Sequence, residues 1–162
     1  MDPEGRFNIV DVETEEKILT LVNIYAPNRD DLIFFRGVSE EMLSFESDLI
    51  GFGGDFNLVC DVEKDKKIGA PTTHWKSKEE VSSLKEQFQL ADIWRVRNPD
   101  IMRFTWERTN PEIRCRSDFF LISESLCPNV LKAEIYPGYR TDHRMITVKI
   151  STTTPEDQVF GN

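Results

Sequence analysis

The chain has 162 residues, 39% hydrophobic and 30% charged, which is the size and composition of one soluble domain able to bury a sizeable core. No stretch reaches membrane-spanning length, and the start Met1-Asp2-Pro3-Glu4-Gly5 has neither the basic run nor the apolar block of a signal peptide, so an intracellular location, nucleus or cytoplasm, is expected. A formal charge of −9 repels polyanions overall, so any contact with nucleic acid has to come from a local patch or a bound cation.

Phe7 to Val12 and Ile18 to Tyr25 are β-branched, apolar runs separated by the acidic stretch Glu13-Thr14-Glu15-Glu16-Lys17, which predicts an antiparallel hairpin. Ala26-Pro27-Asn28 ends the second run, because proline removes a ladder donor. Tyr25 and Asn28 are thereby offered at a strand mouth, although Tyr25 also reads as the last core aromatic of its strand. Asp30 or Asp31 can cap a helix reaching about Phe45, with Ile33, Phe34, Val38, Met42 and Phe45 as its buried stripe. Asp61 to Lys76 is polar and reads as a long surface loop, and His74 within it reads as a surface residue. Ser77-Lys78-Glu79-Glu80 has the form of a capping box opening a helix that runs to about Leu90. Arg103 to Glu107 and Cys115 to Ser123 predict two strands around a turn at Thr109-Asn110-Pro111-Glu112. Val130 to Tyr136 and Arg144 to Ile150 predict two more, and a tail from Ser151 carries little to bury. The three cysteines, Cys60, Cys115 and Cys127, show no paired spacing and read as reduced thiols. The expected organisation is one domain over residues 1–150 and a flexible tail over 151–162.

The chemistry concentrates at strand mouths. Leu49-Ile50-Gly51-Phe52 runs into Gly53-Gly54-Asp55-Phe56-Asn57, and two residues apart on extended backbone Asp55 and Asn57 point to one side. One offers a base or a hard-metal oxygen and the other a neutral donor and acceptor, although an Asx turn accounts for the same residues. Asp118 stands where its strand turns apolar, which fits a solvated edge carboxylate or an acid that orients a histidine. Thr141-Asp142-His143 precedes the last strand. An anionic constellation and an acid–imidazole constellation at strand mouths point to hydrolytic chemistry on a phosphate.

Taken in order, Asn23-Ile24-Tyr25-Ala26-Pro27-Asn28, Gly53-Gly54-Asp55-Phe56-Asn57, Phe104-Thr105-Trp106, Arg116-Ser117-Asp118-Phe119-Phe120-Leu121-Ile122-Ser123 and Tyr139-Arg140-Thr141-Asp142-His143 resemble the exonuclease, endonuclease and phosphatase superfamily, and within it the endonuclease domain of long-interspersed-element (non-LTR) retrotransposons. The resemblance implies an α/β fold, a DNase I-like four-layered α-β-β-α sandwich of mostly antiparallel sheets, and hydrolysis of a DNA phosphodiester dependent on Mg²⁺ (or Mn²⁺). It implies catalytic roles for Asp55, Asn57, His143 and Asp118: Asp55 handles the attacking water, Asn57 holds that water and the phosphate, His143 stabilises the phosphoryl oxygens, and Asp118 backs its ring. Tyr25, Asn28, Thr105 and Thr141 match phosphate-contacting positions, and Asp142 belongs with Asp55 on the metal side. DNA is the implied partner, with no membrane, and the chain is expected to be a monomer within a longer polyprotein that includes reverse transcriptase.

Three departures stand out. Ser117 replaces an aliphatic residue, Arg144 replaces a small one, and the family's first half, with an Asn and the Glu that is its principal metal ligand, has no counterpart. The resemblance therefore implies a fold lacking its first part, with Mg²⁺ held more weakly by Asp55, Asp142 and water. Two alternatives remain open: a phosphatase or phospholipid diesterase of the same superfamily, and an inactive retroelement-derived fragment acting only as an interaction module.

Overall fold

A computed structural model describes residues 4–15, 17–69 and 74–152. In chain order these residues form β1 (Phe7–Glu13), β2 (Ile18–Tyr25), α1 (Leu32–Met42), β3 (Ile50–Asp55), α2 (Val62–Asp65), β4 (Lys66–Ile68), α3 (Trp75–Gln87) and β5 (Leu90–Asp92). They continue as α4 (Ile93–Arg97), β6 (Trp106–Thr109), β7 (Glu112–Cys115), β8 (Asp118–Ser123), a 3-10 turn at Cys127–Asn129, β9 (Val130–Tyr136) and β10 (Met145–Ile150).

The main sheet has the order β1-β2-β3-β8-β5. Only β2 and β3 run parallel, which requires a crossover, and α1 supplies it. Strand β8 is buried on both sides, and its alternation assigns the layers. Phe119 and Leu121 join Val22, Ile24 and Phe52 in a core shared with Phe34, Phe35, Val38 and Met42 of α1 and Val81 and Leu84 of α3. Ile122 and Phe120 face the other way, into a second core with Ile93, Leu126, Val130, Ala133, Val148 and Ile150. That second core seats the antiparallel β9–β10 ribbon against the sheet, while β4-β7-β6 form a small sheet of their own. The described residues thus stack helices, a mixed sheet and a second set of strands, the α/β class expected from the sequence.

The hairpin and the strands at β3, β9 and β10 fall where expected. Elsewhere the elements differ. Ile33 is 77% exposed, because the buried arc of α1 is set by Phe34, Phe35, Val38 and Met42. Asp61 opens α2 by accepting from the Glu63 and Lys64 backbone N–H groups, so the expected long loop contains a helical turn and β4; residues 70–73 of that loop lie outside the described residues. Helix α3 starts at Trp75, ahead of the expected cap, and Ser77 is buried inside it. Its first turn is capped from elsewhere: Asp30 accepts from the Ser77 N–H at 2.8 Å and the Lys76 N–H at 3.4 Å. The strand expected over Cys115 to Ser123 divides into β7 and β8, which belong to different sheets. In the expected tail, the Ser151 N–H still donates to the Asn129 carbonyl at 2.8 Å, and the rest, from residue 153, lies outside the described residues. All three cysteines are free.

Among the described residues no helix is long and apolar enough to cross a membrane.

Candidate active site

Two neighbouring strands deliver the acids, and a third brings Tyr25 beside them. The parallel register of β2 and β3 sets Tyr25 beside Asp55, and the antiparallel register of β3 and β8 sets Asp55 beside Asp118. Glycine makes this packing possible. Gly54 has φ +137, and a Cβ there would lie 2.0 Å from the Ile24 carbonyl oxygen, while one on Gly53 would strike the Phe120 ring. Gly53 and Gly54 therefore let β3 lie close enough between β2 and β8 to hold its terminal carboxylate in register.

His143 arrives from a different layer. It bridges to Trp106 at the start of β6, and three further ties hold its loop there: the Arg144 N–H donates to the Thr105 carbonyl at 2.7 Å, the Glu107 N–H donates to the Asp142 carbonyl at 3.2 Å, and the Arg144 guanidinium pairs with Glu107 at 2.6 Å. The substituted Arg144 thus pins the loop that carries His143. His143 Nδ1 lies 3.1 and 3.2 Å from the two Asp118 oxygens. A carboxylate accepts, so Nδ1 carries the proton and Nε2 is left for chemistry.

Thr105 holds the acid in place. Its side chain is fully buried, and its hydroxyl oxygen accepts from the Ser117 N–H at 3.1 Å and the Asp118 N–H at 3.0 Å. The expectation that Thr105 contacts phosphate is corrected by this burial; it acts on the site through the backbone of Asp118. Ser117, the other departure, lines the site and donates its hydroxyl to Asp118 at 3.3 Å.

Asn57 follows in the left-handed region, with φ +50, a conformation that asparagine tolerates better than most residues. Three contacts hold it there. Its N–H donates to Asp55 Oδ1 at 2.9 Å, its side-chain amide donates to the Ala26 carbonyl at 2.7 Å, and its carbonyl faces His74 Nδ1 at 3.0 Å. The first of these is the Asx turn that the sequence offered as an alternative to a site, so the same residues make both.

These groups surround a cavity of about 400 Å³ lined by Tyr25, Asn28, Asp55, Asn57, His74 and His143, with Lys66, Trp106, Cys115 and Ser117 completing its walls. Burial pushes the Asp55 carboxyl above its ordinary range and the Asp118 charge adds to it, against the lowering effect of the Asn57 N–H. Burial likewise pushes the Cys115 thiol up to about 11, leaving it a poor nucleophile.

Asp55, Asp118 and His143 offer ligand atoms that all lie within 4.8 Å of one another. Two carboxylates this close, one with its ionised form already disfavoured, fit a divalent cation by charge and donor chemistry. Asp142 is not in this cluster. It is exposed, and the Trp106 indole N–H donates to it at 2.8 Å, which lowers its pKa. Thr141 is also exposed, its hydroxyl accepting from the His143 N–H at 3.1 Å. The structure therefore joins Asp55, Asn57, His143, Tyr25 and Asn28 at one cavity, with Asp118 buried behind the His143 ring. His74, expected on the surface, is half-buried on its wall, and no local pattern in the sequence marks it.

The chain's α/β architecture is a DNase I-like fold, shared with solved structures of low sequence identity. Among solved structures it is similar to the endonuclease domain of TRAS1, a telomere-specific non-LTR retrotransposon, with TM-score 0.71 and 14% identity over 92% of this chain and 65% of that one. It is similar also to the AP endonuclease LMAP from Leishmania major, with TM-score 0.72 and 17% identity over 88% of this chain and 54% of that one. An AP endonuclease from Archaeoglobus fulgidus matches with TM-score 0.70 and 13% identity over 89% of this chain and 65% of that one. In sequence it is 28% identical over 152 residues to the transposon TX1 uncharacterized 149 kDa protein of Xenopus laevis, a match covering 91% of this chain and 11% of that protein. The chain thus spans between about half and two thirds of these solved structures and about a tenth of the transposon protein. No protein-family model matches it.

Proposed function

We propose that this chain is a metal-dependent phosphodiesterase that nicks DNA, of the retrotransposon endonuclease type. One observation carries the reading: Asp55 at the end of β3 meets His143 and Asn57 on one cavity, with Asp118 buried behind the His143 ring. Hydrolysis of a phosphodiester needs a base for the attacking water and positive or donating groups for the charge that builds on the phosphoryl oxygens. Asp55, its proton affinity raised by burial and by Asp118, is the base. His143, fixed through Nδ1, stabilises the phosphoryl oxygens when Nε2 carries a proton, and Asp118 holds the ring. Asn57, clamped on three sides, orients the water and the phosphate. Tyr25 and Asn28 supply contacts to the backbone at the rim.

Mg²⁺ or Mn²⁺ is the proposed ion, and Asp55, beside the Asp118–His143 pair, would hold it. An ion held there would supply positive charge to offset that of the phosphate. Asp142 would join it by exchanging the Trp106 indole for the metal. DNA is the proposed substrate, and a place inside a longer retroelement product with reverse transcriptase is proposed as well, supported by the likeness to a much longer transposon protein.

Conversion of supercoiled plasmid to nicked circles with Mg²⁺ tests the reading, comparing the chain with Asp55→Ala and His143→Ala. Nicking lost in both variants is expected. Nicking that survives either change sinks these roles, and phosphate released from monoesters without nicking would reassign the chain to the phosphatases.

A further inference from the structure

His74 belongs to none of the motifs that carry the resemblance, yet it stands on the same cavity as Asp55, Asn57 and His143. Its Nδ1 is 3.0 Å from the Asn57 carbonyl oxygen. A carbonyl only accepts, so Nδ1 is the protonated nitrogen and Nε2 is the one left over. His143 is built alike, with Nδ1 on the oxygens of Asp118. One cavity therefore carries two imidazoles tethered through the same ring nitrogen, one backed by a carboxylate and the other by a neutral carbonyl.

The His74 ring is not loosely placed. It is half-buried, and it immediately precedes α3, whose first turn is fixed by Asp30 through the Ser77 and Lys76 N–H groups. Lys66 lines the same cavity from β4 together with Asp55, and the Asp30 carboxylate interacts electrostatically with His74. To donate to an anionic oxygen from Nε2 while Nδ1 stays on Asn57, the ring has to carry a proton on each nitrogen.

We propose that His74 is a substrate-binding residue, its Nε2 donating to a phosphate oxygen of the DNA backbone while Nδ1 stays on Asn57. The inference rests on reading the cavity as a phosphodiester site. It adds a contact beside the motif residue Asn57, from a part of the chain where composition alone indicates only surface.

The test separates the two ring nitrogens. An asparagine at position 74 places an amide nitrogen near Nδ1 but cannot reach the position of Nε2, whereas a glutamine reaches it. Binding of a fluorescein-labelled DNA duplex is followed by anisotropy in chelator, so that nothing is cleaved, with the full chain and with His74→Ala, His74→Asn and His74→Gln. His74→Ala and His74→Asn are expected to weaken binding about tenfold, the scale of one hydrogen bond to a charged group. His74→Gln should stay within about threefold of the parent. Thermal melts of all four proteins check folding, and if His74→Ala does not fold, the contrast of Asn with Gln decides. Parent-like binding by His74→Asn together with weak binding by His74→Gln would make the residue a support for Asn57 alone and overturn the proposal, as would equal binding by all four or none by the parent. A chain that binds duplex in this His74-dependent way but never nicks plasmid would uphold the contact and sink the hydrolytic reading.

Discussion

Arg116 and Asp118 are two residues apart, and each anchors a cluster of charges of opposite design. Around Arg116 the cluster is closed. Its Nε and Nη2 donate to the two oxygens of Asp65 at 2.8 Å each, its Nη1 donates to Asp92 at 3.2 Å, Arg95 also pairs with Asp65, and the guanidinium lies over the Trp94 and Phe119 rings. Two cations meet two anions, Arg116 and Asp65 are each 1% exposed, and the guanidinium is held charged by its acids. Around Asp118 the cluster is open. Two carboxylates lie close to one imidazole, Asp55 and His143 line a cavity, and Asp55 holds its proton more tightly than usual. Complete internal neutralisation leaves a group nothing to offer a ligand, whereas an incompletely matched cluster open to a cavity can bind a cation or move a proton.

The largest effect expected from breaking this contrast is at Asp55. Asp55→Asn keeps the shape of the side chain and removes the base, so plasmid nicking should fall by about a thousandfold or more. The same variant should be the more stable protein at neutral pH. Because the folded-state pKa of Asp55 lies above its ordinary value of 3.8, the ionised group costs stability above that raised pKa, and the cost is relieved as pH falls from the raised value toward the ordinary one. Melting temperatures of the two proteins in chelator should therefore differ in favour of Asp55→Asn at neutral pH and converge in acid. A parent that melts higher at neutral pH would contradict the open design.

Arg116→Met tests the closed cluster. It strands Asp65 and Asp92 in the interior and should cost about 3–5 kcal/mol in urea unfolding. Replacing both acids by asparagine in the same background should recover part of that loss, because the harm lies in uncompensated charge and not in the missing guanidinium. No recovery would mean that Arg116 serves mainly by packing on Trp94 and Phe119.

The two clusters also differ in how far the sequence reveals them. The open one sits at strand mouths, where alternation and glycine mark the strand ends, so Asp55, Asn57, Asp118 and His143 can be placed from local pattern and motif order. The closed one joins positions 65, 92, 95 and 116, each unremarkable in its own stretch, and only tertiary pairing brings them together. The three-residue strands β4 and β5 and the five-residue α4 are too short for a hydrophobic period to register. Capping misleads at α3 for a related reason: the cap comes from Asp30, far away in sequence, so Ser77 resembles a cap while lying inside the helix. Thr105 belongs to this hidden group. Its hydroxyl serves two buried N–H groups that nothing in Phe104-Thr105-Trp106 announces. Thr105→Val, nearly the same in shape, should cost about 1–3 kcal/mol by leaving those donors unpaired, and should lower nicking through the misplaced Asp118. Thr105→Ser should restore most of both, and failure of the serine to do so would point to packing by the threonine methyl.

The smallest effect is expected where the open cluster is tied down from outside. The Arg144–Glu107 pair is about a third exposed on each side, so its loss should change stability by no more than about 1 kcal/mol. The backbone bond from Arg144 to Thr105 survives any side-chain change, so the His143 loop keeps its main anchor and nicking by Arg144→Ala should fall by less than about tenfold. If the guanidinium works only through Glu107, then Glu107→Gln should reproduce the defect, and the double variant should be no worse than either single one. If it instead reaches the substrate, Arg144→Ala alone should weaken duplex binding and flatten its salt dependence by about one counterion. The cycle and the salt slope together decide whether this arginine braces the histidine loop or extends the open cluster toward DNA.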